Sequence, residues 1–117
     1  MKKTIQIMLI ASLIASCSPH RFDSEFDFAN KLAQEGLWQE AYYRWQKEID
    51  AGKATAALFN NIAVYFEKTG AFEKALDTYQ RALKLEPGND AIQGNLNKLK
   101  AYLERRNDKE GGEKNEK

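Results

Sequence analysis

The chain holds few residues whose types and spacing could do chemistry. Its 117 residues include one cysteine, Cys17, and one histidine, His20. A protein metal centre usually needs three or four ligands at set spacings, which this pair cannot supply. The sequence also has no Walker-type phosphate loop, dinucleotide-binding pattern or nucleophile elbow. We therefore predict that the protein is not an enzyme and has no cofactor and no metal site.

Cys17 comes directly after a segment with the form of an export signal. Met1–Lys3 carries two lysines, and the run Ile5–Ile14 is apolar apart from one glutamine and one serine. This run is too short to cross a bilayer, which takes about 20 apolar residues. A basic start, a short apolar run and then small residues are typical of a secretory signal.

The residues at the end of this segment resemble the lipobox of bacterial lipoproteins. Ile14-Ala15-Ser16-Cys17 has the branched apolar residue, the two small residues and the obligatory cysteine of that motif. The resemblance implies that residues 1–16 are a lipoprotein signal peptide and that the Cys17 thiol receives a diacylglyceryl group. A chance cysteine beside an ordinary cleavage site is the alternative. Lipidation accounts better for a lone thiol, which has no intramolecular disulfide partner and would otherwise be open to oxidation.

Lipidation at Cys17 would hold the protein at a membrane. Two acyl chains make a stable anchor, whereas one gives only marginal binding. Residues 17–23 would then be a lipid-anchored linker that reaches about 20 Å at ~3.3 Å per residue. The residue after the cysteine is Ser18 and not aspartate. In bacteria with two membranes, this resembles the pattern of lipoproteins that are sent to the outer membrane. We predict a lipid-anchored membrane protein of the cell envelope, in the outer membrane facing the periplasm where that membrane exists.

The charge balance argues against nucleic acid as a partner. The full chain has 18 basic and 17 acidic side chains. Removal of the signal peptide would take away two lysines and leave 16 basic and 17 acidic side chains. A nucleic-acid-binding protein is expected to carry a basic patch or stripe, and this near-neutral chain has no such excess.

Beyond the linker, the chain contains an internal repeat. A shift of 34 residues aligns alanines, glycines and aromatic residues, and this period is the length of the tetratricopeptide repeat, a helix–turn–helix unit. The aligned pairs include Ala29 with Ala63, Gly36 with Gly70, Ala41 with Ala75, Trp38 with Phe72 and Trp45 with Tyr79.

The second copy, at about residues 56–89, resembles the tetratricopeptide family best. Its first apolar residues recur three and four positions apart, which places them on one face of a helix. Gly70 suits the left-handed backbone that ends this helix, and Pro87 stops the next one. The positions that carry the resemblance are Phe59, Ile62, Ala63, Phe66, Gly70, Phe72, Ala75, Tyr79, Ala82 and Pro87.

These signals predict an all-α fold, a short α-solenoid made of two tetratricopeptide hairpins and a C-terminal capping helix. The domain would span residues 24–104, with repeats at about 22–55 and 56–89. Ser24 is placed to cap the first helix. The first copy departs further from the family pattern, as expected of a terminal unit with one face in solvent.

The cap helix is predicted at residues 90–104, where one apolar stripe recurs at helical spacing. Residues 105–117 have no apolar side chain, so we predict that they form a disordered charged tail. The stripe consists of Ile92, Leu96, Leu99 and Leu103.

The resemblance implies a concave face that holds extended peptides. Asn30 and Asn61 match asparagines that some relatives use to hold a peptide, and an amide offers both a donor and an acceptor. The basic residues that would hold a terminal carboxylate are absent, which favours generic peptide binding. The alternative is that these asparagines only solvate a helix face. The predicted concave residues are Phe26, Asn30, Asn60, Asn61, Val64 and Asn95.

Two functions remain open. The first is an adaptor that holds a protein or an extended peptide at the membrane, and the second is a lipoprotein that binds small molecules or peptides as ligands. An open groove lined by asparagines would favour the adaptor, whereas a deep apolar cavity would favour the other. Tyr42 and Tyr43 are expected to pack between repeats, with an outer contact patch as the alternative. Two repeats are near the lower limit of size for such arrays, so self-association would help stability.

Overall fold

The computed structural model describes residues 24–113 and shows an all-α chain in that range. The predicted signal peptide, Cys17, the linker up to residue 23 and the last four residues lie outside the described residues. The prediction of an all-α fold is confirmed for the described part of the chain, which contains no strand. Its five helices are α1 (Glu25–Gln34), α2 (Trp38–Asp50), α3 (Ala56–Lys68), α4 (Phe72–Leu85) and α5 (Asp90–Glu113).

Two hairpins, α1–α2 and α3–α4, have turns of the same construction. Gly36 and Gly70 occupy the left-handed region, with φ of +85° and +75°. A left-handed residue just past a helix lets the next backbone N–H reach back to a carbonyl of the last turn. These bonds run from Leu37 to Leu32 at 2.9 Å and from Ala71 to Phe66 at 2.8 Å. The predicted role of Gly70 as the end of a helix is confirmed.

Replacing Gly70 with alanine should therefore destabilise the protein, whereas the same change at Gly94 should stabilise it. A Cβ at either position would meet no atom within 4 Å, so only the backbone distinguishes them. At Gly70 the left-handed conformation costs about 1 kcal/mol or more for a residue with a Cβ. Gly94 lies inside α5, where alanine is favoured over glycine by ~0.8–1.0 kcal/mol. Urea unfolding of both variants measures the difference, and equal shifts of the midpoint would contradict this account of the turn.

Side chains cap the N-termini of α1, α3 and α5. The Oγ of Ser24 accepts a hydrogen bond from the backbone N–H of Asp27 at 3.1 Å, which confirms the predicted start of α1. Thr55 caps α3 in the same way through the N–H of Leu58 at 3.2 Å. Asn89 does so for α5. Each cap satisfies an N–H that has no partner inside its helix. The starts of α2 and α4 have no side-chain cap and follow directly from the glycine turns.

Small residues sit where the helices of each hairpin approach most closely. Ala41 on α2 and Ala75 on α4 are fully buried, and they occupy equivalent places 34 residues apart. Trp45 and Tyr79, four residues further along, fill the space beside them and are 1% and 0% exposed. The burial pattern of the two hairpins thus follows the repeat in the sequence.

Tyr79 also joins the two helices of its hairpin by a polar contact. Its hydroxyl donates a hydrogen bond to the carboxylate of Glu67 on α3. Burial, with the adjacent carboxylate, raises the pKa of the Tyr79 hydroxyl far above its ordinary value, so this proton remains in place through the physiological range. The corresponding residue of the first hairpin, Trp45, donates instead to an asparagine on α1.

Arg44 covers the outer face of the first hairpin. Its guanidinium carbon lies 4.5 Å from the centre of the Phe28 ring. Its two terminal nitrogens lie 3.0 Å and 3.5 Å from carboxylate oxygens of Glu25 and Glu40. Thirty-four residues later, the position of Arg44 is taken by Thr78, which is buried. At this position the first hairpin therefore carries a charged side chain, whereas the second carries a small, buried and uncharged one.

Helix α5 extends further than the sequence predicts. Three residues of its predicted stripe, Ile92, Leu96 and Leu99, are buried, which confirms this face of the cap helix. The predicted end at residue 104 and the disordered tail at 105–117 are wrong for residues 105–113, which continue the helix. Extending an existing helix needs no new nucleus, and five of these nine residues are arginine, lysine or glutamate, which are good helix formers.

Arg106 makes two contacts within this extension. Arg106 pairs with Glu110 one turn on, at 3.6 Å. The guanidinium carbon of Arg106 lies 5.1 Å from the Phe72 ring centre, and the Phe72 ring lies 5.5 Å from that of Tyr102. Residues 105–113 therefore keep some contact with the second hairpin despite lacking apolar side chains. Within residues 24–113, no helix is both long enough and apolar enough to span a membrane.

Candidate binding groove lined by asparagines

Four asparagines join α1, α3 and α5 on one side of the fold. The Nδ2 of Asn61 on α3 donates to the Oδ1 of Asn30 on α1 at 2.8 Å. The Nδ2 of Asn95 on α5 donates to the Oδ1 of Asn60 on α3 at 3.0 Å. Within α3, Asn60 donates to Asn61 at 3.4 Å. These four residues form a continuous hydrogen-bonded chain across three helices, which we call the asparagine ladder.

The ladder ends on a buried tryptophan. The indole Nε1–H of Trp45 on α2 donates to the Oδ1 of Asn30 at 3.1 Å, so this oxygen accepts two hydrogen bonds. All the bonds between asparagines run in one direction, towards Asn30. Within the described residues, the Nδ2 of Asn30 and the Oδ1 of Asn95 make no hydrogen bond. The ladder thus leaves a donor on α1 and an acceptor on α5 for another molecule.

An open groove of about 500 Å³ runs between α1 and α3 at the Asn30 end of this ladder. Its surface combines amide groups with two indole rings and small apolar side chains, and it includes no charged residue. Such a surface can form hydrogen bonds with a neutral ligand and bury apolar groups beside them. The lining residues are Asn30, Ala33, Gln34, Trp38, Trp45, Asn61 and Val64.

The predicted concave residues fall into three places in the structure. Asn30, Asn61 and Val64 line the groove. Asn60 and Asn95 belong to the ladder but do not line the groove. Phe26 is half-buried against the core of the first hairpin and does not line the groove either.

Four groove residues, Ala33, Gln34, Trp38 and Trp45, are absent from the predicted set. Gln34 lies one helical turn after Asn30, so the spacing along α1 could have revealed it. The sequence predicts that Trp45 is a core residue, because it occupies the same place in the repeat as Tyr79, and Trp45 is indeed buried. Its Nε1–H, however, sets the position of the Asn30 amide. No local signal marks Trp38, whose ring lies 5.3 Å from the ammonium of Lys68.

The two neighbouring tyrosines of α2 have different environments. The Tyr42 ring stacks on that of Tyr65, with centres 4.3 Å apart and planes at 10°. The predicted packing between repeats is therefore confirmed for Tyr42. Tyr43 is 64% exposed, so the prediction of packing is wrong for this residue. Adjacent helical residues point about 100° apart, and only one of the two can face α3.

Chemistry that depends on a metal finds no ligands in the described part of the chain. Across this part, no group of three or more His, Cys, Asp or Glu side chains lies close enough to hold a metal ion. The asparagine ladder is uncharged and offers hydrogen bonds alone.

These features define a class of protein: an all-α protein of two helical hairpins and a closing helix, with an amide-lined groove on one side. Residues 27–107 match the family described as Domain of unknown function (DUF6340), and the chain belongs to this family. The matched region begins in α1 and ends in α5, so it includes all five helices. No curated protein matches the chain.

Proposed function

We propose that this protein is a lipid-anchored adaptor of the tetratricopeptide type, which binds an extended segment of another protein at the membrane of the bacterial envelope. The observation that carries the proposal is the open groove between α1 and α3, lined by Asn30 and Asn61. In this proposal Cys17 holds the protein at the membrane and the groove recruits the partner. No catalytic step is involved.

The assignment to the tetratricopeptide type rests on the equivalence of the hairpins. Residues 34 apart share the left-handed glycine turn, the buried alanine and the large buried side chain beside it. Neighbouring helices in the chain pack on one another, and the ladder places α1 next to α3 and α3 next to α5. This side-by-side order of odd-numbered helices is what a stack of helical hairpins would produce.

The chemistry of the groove favours a neutral, extended peptide. An extended backbone presents N–H and C=O groups in alternation. The Nδ2 of Asn30 can donate to a C=O, and the Oδ1 of Asn61, which accepts one hydrogen bond, can accept a second from an N–H. The indole of Trp38 and the side chain of Val64 provide apolar contacts beside them. The lining itself has no charged side chain, and the nearest cation described beside it is the Lys68 ammonium, 5.3 Å from the Trp38 ring centre. The groove is also open to solvent, which suits a segment of another chain more than an enclosed small molecule.

Photo-crosslinking in intact cells tests this proposal. A photoreactive phenylalanine analogue at Gln34 should crosslink one envelope protein, because Gln34 is exposed at the groove. The same analogue at Tyr43, which is exposed on α2, should not capture that protein. Equal capture at both positions would refute the groove as the contact surface.

The contribution of the ladder can be measured in the same assay. Asn61→Ala removes the donor to Asn30 and should reduce the crosslink at Gln34 by about tenfold, the equivalent of ~1.4 kcal/mol in binding. Asn97→Ala is the matched control, since Asn97 is exposed on α5 and bonds only to Gln93. Circular dichroism should show both variants folded. An Asn61→Ala protein that is folded and crosslinks normally would contradict the role of the ladder.

A further inference from the structure

A second crevice lies between α2 and α4, apart from the asparagine-lined groove. Its volume is about 260 Å³. Phe59, Ile62 and Phe66 of α3 contribute to its lining, and Phe59 and Ile62 are themselves buried. Helix α2 contributes Ile49 to the opposite wall. Apolar or aromatic side chains thus make up five of the nine residues that line the crevice.

Two cations of α4 stand over the aromatic rings of this crevice. The guanidinium carbon of Arg81 lies 4.4 Å from the Phe59 ring centre. The ammonium of Lys74 lies 5.8 Å from the Phe66 ring centre. Seven residues, or about two helical turns, separate the two cations, so they share one face of α4 about 10 Å apart. Both line the crevice, and both side chains are exposed to solvent.

Neither cation is neutralised by an ion pair within the described residues. Each of the ion pairs formed there uses another basic residue. Glu73 and Asp77 of α4 border a shallower depression next to the crevice, but neither comes within 4.0 Å of Lys74 or Arg81. Arg44 on the first hairpin, by contrast, has two carboxylate partners. The only charged residues that line the crevice are thus these two cations.

Two polar side chains inside the crevice, those of Thr78 and Gln46, already make hydrogen bonds. The hydroxyl of Thr78 donates to the backbone carbonyl of Lys74 at 2.6 Å. The amide nitrogen of Gln46 donates to Asp50 at 3.0 Å. A ligand would therefore find its charged contacts at Lys74 and Arg81 and mainly apolar contacts below them.

We propose that this crevice binds a small amphipathic carboxylate, with its apolar body on the α3 aromatic floor and its anionic group at Lys74 or Arg81. The volume equals that of about nine water molecules at ~30 Å³ each, which suits a medium-chain fatty acid of about eight carbons. Charge complementarity selects an anion over a neutral molecule with the same body. This site is independent of the peptide groove, because Phe59, Lys74 and Arg81 do not line that groove.

Photoaffinity labelling of the full chain in native membranes tests this site. An octanoate analogue that carries a diazirine is the probe, and mass spectrometry locates the label. Labelled residues should fall on α3 and α4 around the crevice. Octanoate should compete for the label, whereas 1-octanol, which has the same chain length without a charge, should not. Competition by both compounds to the same extent would show apolar adsorption only and would overturn the proposal.

Charge-removing variants provide the second arm of the experiment. Lys74→Gln with Arg81→Gln should lower the labelling at least fivefold. Lys100→Gln is the matched control, because Lys100 is also exposed and lies on α5 outside the crevice. Circular dichroism verifies that the variants are folded. Unchanged labelling of the folded double variant would overturn the proposal, and so would a label confined to other helices.

Discussion

Replacing Trp45 with alanine is expected to remove a large part of the unfolding free energy of the protein. Trp45 is 1% exposed and belongs to the core cluster of the first hairpin. Truncating a buried tryptophan to alanine costs about 3–5 kcal/mol, through lost apolar contacts and the cavity left behind. A domain of this size has a total unfolding free energy of only about 5–13 kcal/mol, at ~0.05–0.15 kcal/mol per residue. Urea titration followed by far-ultraviolet circular dichroism measures the loss.

Trp45→Phe separates the packing of this residue from its hydrogen bond. The phenyl ring retains part of the apolar volume but cannot donate to Asn30. A neutral hydrogen bond contributes about 0.5–1.5 kcal/mol, so this variant should remain folded with a lower urea midpoint. It should also weaken the groove crosslink, because Asn30 loses one of its two donors. The prediction for Trp45→Ala would be contradicted by a loss of less than about 1 kcal/mol of unfolding free energy, because the core of the first hairpin would then not depend on this residue.

Replacing Cys17 with serine is expected to abolish lipid attachment completely. Bacterial lipoproteins carry their lipid on the thiol of the lipobox cysteine, and serine has no thiol. Cells fed an alkyne analogue of palmitate should label the wild type and leave Cys17→Ser at background. Cleavage in that family falls just before the modified cysteine, so the variant should also keep residues 1–16, and its intact mass shows this directly.

Ser16→Ala is the matched control for the anchor. Alanine retains the small residue that the lipobox has at this position, so labelling and cleavage should both persist. Cys17 is the only cysteine of the chain, so no other thiol could take the lipid. Persistent labelling of Cys17→Ser would contradict the predicted anchor. An unlabelled wild type would instead support an ordinary secretory signal. In that case the asparagine-lined groove would belong to a protein without a lipid anchor.

Much of the helical architecture could be predicted from the sequence because its signals are local and repeated. Gly70 ends a helix by its own backbone conformation, and Ser24 starts one with its own side chain. Ala75 and Tyr79 occupy positions that the first hairpin repeats with Ala41 and Trp45. Each of these features is set within a few residues of the chain. Because the sequence repeats with a period of 34 residues, the same features can be predicted for both hairpins.

The candidate site was less predictable because it depends on contacts between helices. Asn61 reaches Asn30 only because α1 and α3 lie side by side, 31 residues apart in the chain. The role of Trp45 in holding Asn30 is hidden by its role in the core. Composition alone also failed for residues 105–113, since the absence of apolar side chains did not account for helix propagation from the packed part of α5.

The charged cover on the first hairpin limits how this architecture can grow. In the second hairpin, the residue equivalent to Arg44 is the buried Thr78, which leaves that position free of charge. A further hairpin placed ahead of α1 would have to displace Arg44 from Phe28, Glu25 and Glu40 at once. Gene duplication could therefore lengthen the array between α4 and α5 without disturbing this cover.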